Sequence, residues 1–292
     1  MPGLDPGIHA EPRKVHDAIC DATKRLRAAG VESPRRDARL LLAEAMGVSH
    51  PALLDPSCPL SDSDSARFVD KVVRREAREP VSRIRGTREF WGLDFALSPA
   101  TLDPRPDTET VIEAVLAAYA SSAPPLRILD LGTGSNCILC ALLHEFPAAT
   151  GVGIDIEHDA IATARLNAAR LGFADRASFV VADWASAIAG PFDLVVSNPP
   201  YIPRTEIASL APEVAAFDPR RALDGGDDGL DFYRRLSPAL PRLLTPTGVA
   251  AVEIGLRQAE EVGRLFSSNG LEVASVRADL SGTPRAIVAR MR

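Results

Sequence analysis

The sequence predicts an α/β fold, a mainly parallel sheet wrapped by helices, preceded by a small helical domain. Strand-like apolar runs at 126–131, 150–154, 177–181, 194–197 and 249–254 alternate with helical stretches, the pattern of strands joined by helical crossovers. From residue 15 to 78 the apolar residues recur at helical spacing instead. With 292 residues and 46% apolar content, the chain can bury one large and one small core.

Residues 1–13 contain Pro and Gly without periodicity and are expected to form a disordered extension. A helical domain over 14–80 follows. Its apolar positions are Ile19, Leu26 and Val31, then Ala38, Leu41, Leu42 and Ala45, then Phe68, Val72 and Val73, with helix starts at Ser33-Pro34 and Ser61. Eight basic residues lie between Arg67 and Arg88, read first as a solvated helix face and second as a docking patch for an acidic partner. Short apolar and aromatic segments with Gly86 and Gly92 predict a β-hairpin linker over 81–100. The α/β domain then occupies 101–292.

Composition narrows the function classes. Lys and Arg number 33 against 39 Asp and Glu, and the net charge of -6 argues against direct nucleic-acid binding and for a protein or small-molecule substrate. There is no apolar run of about 18 residues to span a membrane, and the first residues do not read as a secretory signal, so the expectation is a soluble, cytoplasmic protein with no membrane partner. Cys137 and Cys140 form a C-x-x-C, but within an apolar stretch where cysteine acts as a small hydrophobe. The five histidines show no ligand spacing, and no metal site is proposed.

Two loops carry the chemistry. The run ending Asp130-Leu131 leads directly into Gly132-Thr133-Gly134-Ser135-Asn136 and then a helix, a turn that lets backbone approach a nucleotide-type cofactor. The dinucleotide fingerprint fails, because Cys137 stands where its third glycine belongs. Asp130 suits a cationic ligand group, and S-adenosylmethionine carries an ammonium and a sulfonium. Asp155 ends the next strand, placed to accept from ribose hydroxyls. Asp183 and Trp184 end the third, where an adenine would lie. Trp184 either stacks on that ring or fills core. The bland alternative is that the glycines make a tight turn and Asp155 caps a helix.

The second loop is Asn198-Pro199-Pro200-Tyr201, fed by a buried strand. An amide nitrogen is a poor nucleophile because its lone pair is delocalised into the carbonyl. Acceptors aimed at its two N–H bonds would draw that pair back: the Asn198 side-chain oxygen and the Pro199 backbone carbonyl, held by the fixed φ of each proline. Tyr201 can close over the planar group and exclude water. No strong base is required, so catalysis would rest on orientation and electrostatics. The competing reading is a rigid proline turn.

From about Val15 onward the sequence resembles the release factor glutamine methyltransferases. The matching segments are 33–38, Gly86-Thr87-Arg88-Glu89-Phe90-Trp91, Pro104-Arg105-Pro106-Asp107-Thr108-Glu109, 130–134, 198–201, Ala222-Leu223, Gly225-Gly226 and Asp228-Gly229-Leu230. The resemblance implies a seven-stranded, Rossmann-like class I methyltransferase domain behind a helical domain and a β-hairpin linker. It implies methyl transfer from S-adenosyl-L-methionine to the glutamine of the Gly-Gly-Gln loop of class I peptide chain release factors. By position, Gly132, Thr133, Gly134, Ser135, Asn136, Asp155, Trp184 and Asn198 would contact the cofactor, beside the Asp130 and Asp183 read from the strand ends, while Asn198 to Tyr201 would hold the glutamine and the helical domain would supply docking surface. Two positions depart from the family: Asn136 replaces the last glycine of the loop, and Asp103 replaces an apolar residue. Asn enters the left-handed region readily, so the loop is expected to survive.

Asn-Pro-Pro-Tyr also resembles the loop of enzymes that methylate exocyclic amines of DNA or RNA bases, and a sister family methylates a ribosomal-protein glutamine. The non-enzymatic alternative is a catalytically silent module that binds cofactor or partner.

Overall fold

The computed structural model describes residues 13–49 and 55–292, so of the extension expected over 1–13 all but Arg13 lies outside the described residues. The chain divides into two compact units, Met1–Arg85 and Gly86–Arg292.

The first unit is helical: α1 (Val15–Ala28), α2 (Pro34–Met46), α3 (Asp62–Glu76) and the short α4 (Val81–Arg85). The helix starts at Ser33-Pro34 and Ser61 are observed. Pro34 opens α2, while the Ser61 hydroxyl accepts the Asp64 N–H at 3.1 Å and caps α3. Val15, Leu26, Leu41, Leu42, Phe68, Val72 and Ile84 meet in one core. Val73 is the exception to the expected apolar set. Consecutive residues on a helix point about 100° apart, so Val72 is 1% exposed and Val73 51%.

The basic stretch is not a free field of positive charge. Arg74 pairs with Glu79 at 2.6 Å and Arg75 with Asp37 at 2.8 Å, Arg67 pairs with Asp64, and Arg85 lies 3.3 Å from Glu44. Arg75 is itself buried. The segment expected to begin the hairpin linker at residue 81 is helical through Arg85.

The second unit begins with the hairpin β1 (Thr87–Phe90) and β2 (Leu93–Ala96). Trp91 and Gly92 at its tip both take positive φ, 53° and 71°, as a two-residue turn with the twist of its strands requires. Phe90 and Phe95 face the core, edge to face at 6.4 Å. The rest alternates: α5 (Glu109–Tyr119), β3 (Arg127–Leu131), α6 (Cys137–Glu145), β4 (Thr150–Asp155), α7 (His158–Arg170), β5 (Ala177–Val181), β6 (Phe192–Ser197), α8 (Pro212–Ala215), α9 (Asp231–Leu236), α10 (Leu240–Leu243), β7 (Leu244–Glu253), α11 (Ala259–Ser268), β8 (Leu271–Ala278) and β9 (Pro284–Met291).

These strands form one seven-stranded sheet of order β5-β4-β3-β6-β7-β9-β8, parallel from β5 to β7 and antiparallel at β9 and β8. Alternate residues feed opposite layers. Ile128, Leu194, Val196, Val249, Ala251 and Val288 join one core, and Leu129, Leu131, Val195, Val252 and Ile287 the other. Burial on both faces is why the central strands read as unbroken apolar runs. The edge strand β8 escapes the residue pattern because only Leu271 of it is buried. From β3 the chain crosses to β4 on one side and later returns to β6 on the other, and that reversal opens a crevice beyond the C-terminal strand ends.

Candidate active site

A cavity of about 630 Å³ occupies this crevice. It is lined by Gly132, Thr133, Gly134 and Ser135 after β3, Asp155 at the end of β4, Asp183 and Trp184 after β5, and Asn198 and Pro200 after β6. Four loops separated by up to 68 residues thus converge because parallel strands deliver all their C-terminal ends to one edge.

The glycine loop is tied down by backbone. The N–H groups of Gly132 and Thr133 donate to the Ile154 carbonyl at 2.9 and 2.8 Å, and that of Asn136 to the Thr133 carbonyl at 2.7 Å. Asn136 takes φ 70° and ψ 22°, the left-handed conformation expected of it, and is fully buried with its Nδ2 donating to Cys140 Sγ at 3.0 Å. Since the backbone is already in a region glycine accepts freely, Asn136→Gly should leave cofactor affinity undiminished by calorimetry. A large loss would give the Asn136 side chain a role of its own. The neighbouring Asn167 joins loop to hairpin, donating to Ser135 O at 2.9 Å and pairing with the Ala96 N–H and carbonyl at 2.8 and 3.0 Å.

Asp130 lies beneath the loop rather than among the lining residues. Its Oδ2 accepts the Thr133 hydroxyl at 2.6 Å, and its Oδ1 is buried without a hydrogen-bond partner among the described residues. Burial pushes this carboxyl up to about 7, with the nearby Asp155 adding to the effect. Asp155 is also raised by burial, but the Gly134 and Glu157 N–H groups, each at 3.0 Å, oppose the shift. Two lone-pair sites remain on that carboxylate for a ligand hydroxyl. Asp183 pairs with Arg235 at 2.6 Å across the rim. Trp184, at φ 50°, both fills and lines: its ring lies 4.1 Å from that of Phe232 and directly over Gly132.

The second loop is anchored from behind. Asn198 Nδ2 donates to Thr108 Oγ1 at 3.0 Å, leaving Oδ1 on the other arm of the planar amide. Pro199 and Tyr201 stand outside the cavity lining. The Tyr201 hydroxyl donates to Glu253 Oε1 at 2.9 Å, and its carbonyl accepts from Gln258 Nε2 at 2.9 Å. Glu253, at the end of β7, is 1% exposed, and burial pushes its carboxyl up to about 7. Thr108 and Glu253 received no role from the sequence. A signal for Glu253 was present, a lone acid closing the apolar run Ala250-Ala251-Val252.

The raised carboxyls have a consequence for stability. Asp130 and Glu253 rise from ordinary values of 3.8 and 4.5, so between about pH 4 and about pH 7 the native state holds more protons than the unfolded chain. Stability is therefore greater at the acid end of that window and falls as pH rises. The ligand-free protein should melt at a lower temperature at about pH 8 than at about pH 5. Calorimetric scans would check the sign.

Cys137 and Cys140 sit in the first turn of α6, both buried, and burial raises the Cys137 thiol to about 12 and that of Cys140 further. Both pack in the core against one face of the sheet, where cysteine acts as a small hydrophobe. The unusual Asp103 is buried beside the Arg88 guanidinium, 3.7 Å away, which balances its charge.

Comparison with known proteins places this arrangement. A family described as the PrmC N-terminal domain matches residues 17–86, and one described as a methyltransferase domain matches 123–270. A release factor glutamine methyltransferase of Rhodospirillum rubrum is 55% identical over 269 residues, covering 92% of this chain and 82% of the relative. The chain belongs to the release factor glutamine methyltransferase family. A second member, from Bradyrhizobium diazoefficiens, is 49% identical over 91% of each chain. The fold is shared with the crystal structure of a methyltransferase from Pyrococcus furiosus, at 15% identity and a TM-score of 0.52, covering 77% of this chain and 98% of that one. This family member is a methyltransferase, and its sheet is that of the class I fold. Among the described residues, no helix is long and apolar enough to cross a membrane.

Proposed function

We propose that the protein methylates the side-chain amide nitrogen of the glutamine in the Gly-Gly-Gln loop of class I peptide chain release factors. The observation that carries this reading, within the family assignment, is the orientation of Asn198. One N–H of its amide donates to Thr108, which fixes the amide plane at the cavity wall and leaves Oδ1 on the opposite arm, an acceptor suited to an N–H donor such as a substrate amide.

The cavity's residues fit the cofactor. Asp130 brings a buried carboxylate oxygen that lacks a partner among the described residues, Asp155 has spare acceptor capacity, and the volume lies in the range of small-molecule sites. When bound, S-adenosylmethionine supplies an electrophilic methyl group on its sulfonium. Gly132 to Ser135 would face its amino-acid end with Asp130 behind them, Asp155 would accept from its ribose hydroxyls, and Asp183 and Trp184 would flank its adenine. Asn136 supports the loop from within rather than touching the ligand.

Asn198 Oδ1 and the Pro199 carbonyl accept the two N–H bonds of the glutamine amide and draw electron density back onto its nitrogen. So oriented, that nitrogen would be the nucleophile for the methyl group the cofactor would supply, the sulfur keeping the electron pair of the broken bond. The new cationic nitrogen has lost its conjugation and is acidic, so its surplus proton passes through an acceptor to water without a strong base. Tyr201 bounds the slot for the planar group. Orientation and fixed dipoles provide the rate enhancement. The helical unit supplies docking surface for the release factor.

The test is methyl transfer from labelled S-adenosylmethionine to a purified release factor, wild type or with its loop glutamine changed to alanine, with the methyl located by mass spectrometry. Label on that glutamine alone is expected. Label elsewhere in the protein, or on nucleic acid only, would overturn the substrate.

A further inference from the structure

We propose that Glu253 is the positioning residue of this site, holding Tyr201 and, through Thr108, Asn198 in the orientation that receives the substrate amide. The inference deepens the methyl-transfer reading and rests on it for its kinetic consequences.

The geometry is a relay with a carboxylate at its centre. On one side the Tyr201 hydroxyl donates to Glu253 Oε1 at 2.9 Å. On the other the Thr108 hydroxyl faces the same carboxylate and accepts from Asn198 Nδ2 at 3.0 Å. A hydroxyl that accepts from Asn198 has its own proton free to point at Glu253, and an Asn198 amide flipped end for end would set two acceptors against each other. The carboxylate thereby selects which arm of Asn198 meets Thr108 and which is left for a ligand. Its own backbone is clamped as well, since the Tyr233 hydroxyl donates to the Glu253 carbonyl at 2.7 Å.

A carboxylate is a costly choice for a position with 1% exposure, and its Oε2 has no hydrogen-bond partner among the described residues. An apolar residue would satisfy the core on β7 equally well, but it could neither accept from the Tyr201 hydroxyl nor answer the Thr108 hydroxyl that faces it. The groups facing Glu253 are Tyr201 from the loop after β6, Tyr233 on α9, Asp107 and Thr108 ahead of α5, and Arg285 on β9. Arg285 is shared with Asp279 and Asp107, at 3.2 and 3.4 Å, and so only partly offsets the charge. Protonating Glu253 removes acceptor capacity from the relay and slackens both arms. The ionised form is the one that orders the site.

Glu253→Ala is expected to lower kcat about 10²-fold, the cost of misplacing reacting groups by roughly 1 Å, with little change in KM for the cofactor. Glu253→Gln keeps the shape and one acceptor, recovering about tenfold of that loss, in keeping with one neutral hydrogen bond. The readout that separates positioning from mere structural support is the pH profile of kcat. Wild type should lose activity on the acid side as Glu253 takes up its proton, and the Gln variant should lack that limb. A Gln variant that keeps the acid limb, or an Ala variant with wild-type kcat, would sink the proposal. Crystal structures of both variants test the arrangement without substrate: Tyr201 and the Asn198 amide should shift, and their staying in place would overturn it. If wild type transfers no methyl to a release factor, the functional reading fails, while the crystallographic comparison still decides the role of Glu253.

Discussion

Asn198→Ala should reduce kcat/KM for the release factor by about 10²–10³-fold, the loss that follows removal of one aimed polar group from an active site. The argument is chemical. The substrate nitrogen reacts only when its lone pair is released from the carbonyl, and Asn198, whose amide is fixed at the cavity wall by the Nδ2 bond to Thr108, carries the acceptor Oδ1 on its other arm. Alanine removes the acceptor and leaves Thr108 facing Glu253, so the scaffold behind the loop persists and the melting temperature should change little. Asn198→Asp is the sharper variant. It keeps an acceptor oxygen but cannot donate to Thr108, and it adds a second carboxylate beside a buried one, so it should be severely impaired as well. Single-turnover rates with labelled cofactor would measure both. A near-normal rate in Asn198→Ala would remove this residue from the chemistry and leave the proline turn as a structural element.

Gly225→Ala should be comparably damaging although residue 225 carries no side chain to react. A Cβ there would stand 2.8 Å from Tyr201 Cα, 2.8 Å from Gly229 Cα and 2.9 Å from Pro200 O, all of them backbone. No rotamer change relieves such a clash. Because the Gly225 N–H donates to the Ile202 carbonyl at 2.9 Å, and the Ile202 N–H to the Leu223 carbonyl at 3.0 Å, the two segments are zipped together. The added methyl must push the Pro200–Tyr201 backbone aside. The expected costs are about 1–3 kcal/mol of stability from overpacking and roughly 10²-fold in kcat from the displaced loop. Gly172→Ala is the matched control: its φ of 80° makes the substitution strained, but its Cβ would meet nothing within 4 Å. That variant should lose stability and keep its kcat. A Gly225→Ala enzyme with a normal rate would show that the loop tolerates displacement, contrary to a mechanism built on orientation.

The parts of this protein that can be read directly are those governed by neighbours in sequence. The parallel strands β3, β4, β5 and β6 are visible because burial on both faces leaves continuous apolar runs, and β5 coincides with its expected range of 177–181. Asn136 is expected in the left-handed region, and it is there, because that preference belongs to the residue type. Where a side chain's place depends on contact, sequence and structure part. Helical spacing puts Val73 inward with Val72, yet the helix turns only one of them to the core. The basic run around α3 reads first as a solvated helix face, but which carboxylates its guanidiniums meet, Asp37 and Glu79 among them, is set by the packing of the unit. The strand β8 is not legible from its own residues, since an edge strand exposed along most of its length has no need of an apolar pattern.

The sequence by itself determined the α/β alternation, the two loops that carry the chemistry and, through their motifs, the family. These follow from local rules: the period of side-chain burial, the φ preferences of Gly, Asn and Pro, and the chemistry of an amide between acceptors. Only the tertiary structure decided that Glu253 and Thr108 stand behind Asn198 and Tyr201, that Asn136 turns inward to Cys140, and that Gly225 presses against the substrate loop. Apart from the Asn136–Cys140 pair, which spans a single helical turn, each is a contact between segments far apart along the chain. Hydrogen bonds and close packing act over a few ångströms of space whatever the distance in sequence, so such partners become visible only once the sheet has brought its strand ends to one edge.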